Sequence, residues 1–139
     1  TSFREFKYEF KLLYRSSRDG LGAAIFHQKC DNVNKTLVVG KIQNSEQIVG
    51  GYNPLNWNGN NEYKNTTESF IFNISNRNDI NSAQFSYVTN NNNYLAILCR
   101  THYLACFGGG DLGFMPSSTI NSKNNPHTYN KINIIIVSY

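Results

Sequence analysis

The 139 residues are 40% hydrophobic and 14% aromatic but only 16% charged, which fits one domain with one core filled largely by rings. The formal net charge of +4 comes from scarce acids, because Glu5, Glu9 and Asp19 interrupt the densest basic stretch; no same-sign stripe for nucleic acid is expected. No apolar run approaches the ~18 residues that span a bilayer, so membrane insertion is not expected either.

In chain order, Phe6, Tyr8, Phe10, Leu12 and Tyr14 face one way and Lys7, Glu9, Lys11 and Arg15 the other, which predicts a strand over 6–14 ending at Ser16-Ser17. Asp19-Gly20 is a candidate cap for a short helix running to about Cys30. Leu21 with Ile25, and Phe26 with Cys30, would press inward at four-residue spacing. Residues 36–42 and 47–52 form the clearest hairpin, joined by the polar stretch 43–46. Leu37, Val38 and Val39 in succession predict a central strand buried on both faces. Gly50-Gly51 marks a bulge or the close approach of another backbone.

Residues 53–65 read as a loop dense in Asn, Gly and Pro, with Trp57 as its anchor. Strands are expected over 69–74, with Phe70, Phe72 and Ile74 on one face, and over 83–88 and 94–99, the last two joined by a tract of four Asn. Ala105-Cys106-Phe107 enters a triple-glycine turn at 108–110, and 112–115 returns from it. A polar loop is expected over 116–131 and a final strand over 132–139. Many short strands and one or two short helices predict an α+β fold that is predominantly β: two antiparallel sheets packed as a sandwich with short flanking helices.

Five strings in this order resemble the TLDc domain family: FKLLYRSSRDG (10–20), FHQKCDN (26–32), TLVVGKIQNSEQIVGGYNPLNW (36–57), TTESFIF (66–72) and CFGGGDL (106–112). The resemblance covers a single domain, clearest from about Tyr8 to the end, and implies a C-terminal part of a larger chain. It implies face-to-face antiparallel sheets, a link to oxidative-stress resistance, and a protein partner in the cytosolic sector of the vacuolar proton-pumping ATPase. It implies no agreed reaction and no cofactor. A cytoplasmic setting is the default expectation. The family usually closes with a strand rich in acidic and aromatic residues, and this chain stops at Tyr139, before such a strand is expected to be complete.

The expected function is therefore a non-catalytic interaction module, not an enzyme. Its candidate binding residues are Asp19, Gly20, Gly51, Glu68, Gly109 and Asp111, each of which also has a plain folding role. The alternative is an enzyme of undescribed activity in which Glu68, partly desolvated by Phe70 and Phe72, acts as the acid–base residue. His27-x2-Cys30 and Cys99-x2-His102-x3-Cys106 supply enough soft ligands for zinc on paper. Residues three apart in a strand point to opposite faces, however, and buried Cys is more often a small hydrophobe, so no metal is expected. A redox role for Cys106 would need a low thiol pKa and exposure. The triple glycine lacks the Lys-Ser/Thr and helix of a phosphate loop.

Overall fold

A computed structural model of the chain describes residues 9–117 and 119–122. The strand expected over 132–139 and the opening residues of the one expected over 6–14 lie outside the described residues. Two short helices, α1 (Ser16–Asp19) and α2 (Ala23–Cys30), come first. The strands that follow are β1 (Thr36–Lys41), β2 (Ile48–Asn53), β3 (Glu62–Lys64), β4 (Phe70–Ile74), β5 (Ala83–Tyr87), β6 (Ile97–Cys99), β7 (Cys106–Phe107), β8 (Leu112–Phe114) and β9 (Ile120–Ser122). They form a four-stranded sheet in the order β1-β2-β4-β5 and a five-stranded sheet in the order β3-β6-β7-β8-β9. Every paired neighbour is antiparallel. The described residues are thus predominantly β, with two antiparallel sheets and short helices.

The layers are keyed together by missing side chains. On the inner face of the four-stranded sheet, Val38, Gly51, Ile71 and Ser86 share one cross-strand row. A Cβ on Gly51 would stand 2.7 Å from the ring of Phe107, and one on Gly40 would stand 2.4 Å from the ring of Phe114. Rings of β7 and β8 therefore occupy the space that two glycines leave open in the facing sheet. Val49, Ile71, Ile97, Phe107, Leu112 and Ile120 are buried in this layer. From outside it, α2 contributes Phe26 and Cys30, and Trp57 closes one end. Trp57 meets Phe26 and Phe107 edge-on, with centroids 6.1 and 5.6 Å away, and donates its indole N–H to Thr36 Oγ1 at 2.9 Å. It is the anchor its loop was expected to need.

The outer face of the same sheet is also apolar. Leu37, Tyr52, Phe70 and Tyr87 form one row, and Val39, Gly50, Phe72 and Phe85 the next. Phe70 stacks on Tyr52 at 5.5 Å and touches Phe85 and Tyr87 at 5.9 Å, so these rings shield one another laterally.

Several expectations are corrected here. Among the described residues the run Leu37-Val38-Val39 lies on an edge strand, and Leu37 and Val39 are 50% and 59% exposed. Only Val38 turns inward. The central place belongs to β2, whose double glycine lets its neighbours close in: a Cβ on Gly50 would fall 2.0 Å from the carbonyl oxygen of Val38. Of the two readings of Gly50-Gly51, close approach by another backbone is the one found.

Residues 9–15 form no strand, and Phe10 is 84% exposed. Leu13 and Tyr14, adjacent in sequence, both pack on the core, which breaks the alternation. The reason is α1, which begins at Ser16 and pulls the chain around, while the Tyr14 hydroxyl donates to Gly20 O at 2.7 Å. Gly22, not Asp19, caps α2.

Two strands were missed. β3 lies inside the expected 53–65 loop and β9 inside the expected 116–131 loop, each three residues long and held by pairing with β6 and β8. The strand expected over 94–99 shortens to β6, because 93–95 form a 3-10 turn.

Candidate functional site

The FHQKCDN segment folds as α2 and the residues just after it, and places His27 against the loop that joins β6 to β7. Helical spacing of four brings Asp31 Oδ1 to 2.8 Å from His27 Nδ1. On the other side of the ring, Nε2 lies 2.8 Å from the carbonyl oxygens of both Arg100 and Tyr103. The ring satisfies all three oxygens when it carries both N–H groups, and it ties the 100–103 loop to the helix. On the remaining side of the loop is an open cleft of about 270 Å³ lined by Asn60, Asn61, Arg100, Thr101, His102 and Tyr103. There Arg100 Nε donates to Asn61 Oδ1 at 3.1 Å, and its guanidinium lies 5.2 Å from the centre of the Tyr103 ring.

A second polar assembly surrounds Asp19. Its carboxylate accepts from Arg18 Nε and a terminal Arg18 nitrogen, both at 2.8 Å, and from the Arg15 backbone N–H at 2.9 Å, with the Lys29 ammonium 3.8 Å away. The Arg18 bonds, followed by the Arg15 N–H, hold the Asp19 carboxyl far below the usual carboxylate range. Next to it Gly20 takes φ +95°, a conformation that favours glycine, with open space where a Cβ would be.

The other candidate residues are scattered. Gly51 is buried beneath Phe107, and Asp111 is buried with its carboxyl carbon 2.7 Å from where a Gly108 Cβ would lie. Gly109 sits in the β7–β8 turn with nothing within 4 Å of an added Cβ. Glu68 is exposed at the head of β4, its backbone N–H donating to Thr66 Oγ1, so the neighbouring rings do not desolvate it as expected. Asp19 and Gly20 share one turn and Gly109 and Asp111 another, as their sequence proximity dictates.

Sequence reasoning missed Arg100, Asn61 and Tyr103. The cue available was a cation and a ring three residues apart in a polar connection between two buried strands.

The cysteines are inert by placement. All three are free and buried, and burial pushes the Cys30 and Cys99 thiols up to about 11 and the Cys106 thiol up to about 12. Among the described residues, no group of three or more His, Cys, Asp or Glu is placed to hold a metal ion. The thiol placement predicts slow alkylation of the folded domain. At pH 8 ionisation alone should slow the reaction on the order of a hundredfold relative to the unfolded chain. Timed iodoacetamide labelling read by mass spectrometry, with and without denaturant, checks this. A native Cys106 that labels as fast as the unfolded chain would overturn it.

Among the described residues no helix is long and apolar enough to cross a membrane. No curated protein and no solved structure matched the chain. The family model described as the TLDc domain matches residues 1–133. With the two-sheet architecture already in place, that match covers nearly the whole length, and the chain belongs to the TLDc domain family.

Proposed function

We propose that this domain is a non-catalytic interaction module whose partner is the cytosolic sector of the vacuolar proton-pumping ATPase, in a cytoplasmic setting. Its link to oxidative-stress resistance would then run through that partner instead of through its own thiols. The supporting observation is the turn of residues 15–20. Arg18 and the Arg15 N–H fix Asp19 from two directions, and Tyr14 holds the Gly20 carbonyl. The result is a rigid, charged projection whose Arg18 side chain remains 40% exposed. A preformed turn loses little conformational freedom when it docks, so its polar groups act as contacts at low entropic cost. The buried, protonated thiols and the exposed Glu68 supply no comparable support for chemistry.

Pull-down of the purified pump sector by the immobilised domain tests this reading. The expected result is stoichiometric enrichment by the wild type and at least a tenfold loss with Arg18→Glu, whose altered charge leaves the core untouched. No enrichment by folded wild-type domain would remove the partner. Enrichment that survives R18E would remove the turn as the contact.

A further inference from the structure

We propose that the cleft between residues 60–61 and 100–103 is a binding site for a phosphate-type oxyanion, a reading independent of the protein partner above. The first ground is its lining. All six residues, Asn60, Asn61, Arg100, Thr101, His102 and Tyr103, carry a side-chain hydrogen-bond donor, and none carries a carboxylate. Five of the six can also accept, so the match to a ligand rich in acceptor oxygens is carried by the donor-only guanidinium of Arg100 in a lining without a carboxylate.

The second ground is the state of Arg100. Asn61 Oδ1 engages its Nε and the Tyr103 ring supports its plane, which fixes the guanidinium without neutralising it. Among the described residues Arg100 forms no ion pair, although the other ion pairs there use Arg18, His27, Lys29 and Arg77. A held, half-buried guanidinium with its terminal nitrogens unmatched by a carboxylate is preorganised for an oxyanion.

The third ground is the disposal of competing acceptors. The carbonyl oxygens of Arg100 and Tyr103, which would repel an anion if they faced the cleft, are both bonded to His27. Asp31 is bonded to the same ring, and Glu62, next to Asn61 in sequence, does not line the cleft. Helix α2 therefore acts as a backing that engages two of the loop's carbonyl oxygens on the side away from the cleft. Arg100, His102 and the Asn61 amide are the binding residues; His27 is a positioning residue.

Phosphate chemistry fits better than carboxylate chemistry because donors come from two walls, the 60–61 turn and the 100–103 loop. A tetrahedral group with three or four acceptor oxygens meets both, whereas a carboxylate presents two oxygens in one plane. Both a free phosphate ion and a small phosphate monoester share this chemistry.

The test is a titration of the full domain with inorganic phosphate at low ionic strength, followed by amide and Arg Nε resonances in two-dimensional NMR. Sodium chloride, acetate and glycerol phosphate are titrated in parallel. Saturable shifts confined to 60–61, 100–103 and the Arg100 Nε are expected, with at least a tenfold weaker response in Arg100→Gln and His102→Ala. The His102 side chain is exposed, so the second variant keeps its fold if the first does not. Tighter binding of glycerol phosphate would identify a monoester as the ligand, and equal binding a free phosphate. Shifts that track ionic strength as chloride does, equal saturation by acetate, or an unchanged response in both variants would overturn the proposal.

Discussion

Trp57→Ala should destabilise the domain by about 3–5 kcal/mol, a large part of the roughly 5–15 kcal/mol that holds a typical domain folded. Trp57 is 1% exposed and is the point where three layers meet: Phe26 from α2, Phe107 from the five-stranded sheet and Thr36 at the start of the four-stranded one. Its removal leaves a void against two rings that cannot both move in, because Phe107 is already fixed against Gly51. It also strands the Thr36 hydroxyl. Thr36→Val, which deletes only the hydrogen bond, should cost about 1 kcal/mol, and the difference between the variants measures the packing. Since the chain has one Trp, denaturant curves for W57A must be followed by circular dichroism and not by indole fluorescence. A loss below 1 kcal/mol would mean that the end of the sandwich is not closed by this ring.

The second large effect is expected at Gly50. A methyl group there would lie 2.0 Å from the Val38 carbonyl oxygen and 2.5 Å from the Phe72 ring. The ring can rotate; the carbonyl belongs to the β1 backbone and can retreat only by breaking register with β2. Gly50→Ala should therefore cost about 3 kcal/mol or more, and be recovered largely in inclusion bodies. Gly109→Ala is the matched control, with nothing within 4 Å of the new methyl, and should change the unfolding free energy by less than about 0.5 kcal/mol. Equal behaviour of the two variants would refute the close approach of β1 to β2.

The parts of this fold that were legible in the sequence are those where local chemistry and tertiary demand agree. The 36–52 hairpin is one: β-branched runs flank a polar connection, and β1 and β2 pair in that register. The double glycine was legible in part: the sequence allowed a bulge or a close approach, and the carbonyl of Val38 against Gly50 decides for the second. The rest was decided by context. Hydrophobicity alone does not say which side of a strand meets a second layer, so Leu37-Val38-Val39 read as central and proved to be an edge with one inward residue. The alternation before Tyr14 was genuine, but α1 claimed the chain before any sheet did. β3 and β9 are triplets too short to show a period, and they exist because β6, some thirty residues after β3, and β8, just before β9, offer edges to pair with.

The candidate site was legible by motif and not by contact. FHQKCDN drew attention to His27 for its ring and its distance from Cys30, the spacing of a chelate. Its partners are instead an aspartate one turn on and two main-chain oxygens more than seventy residues later. No periodicity in the sequence encodes that meeting.

The glycines that receive opposing rings carry a consequence for how the chain acquires its shape. Gly40 and Gly51 leave hollows that Phe114, with Ile120 beside it, and Phe107 fill, and those side chains arrive more than fifty residues later in the sequence. Neither layer can bury its own surface without the other, so no autonomous half exists to fold first and wait. Acquisition of the native state must be a late, all-or-none closure limited by long-range search, slow for the chain's size and without a stable half-formed stage. Fragments cut between β5 and β6 should stay unfolded separately and gain structure only when mixed.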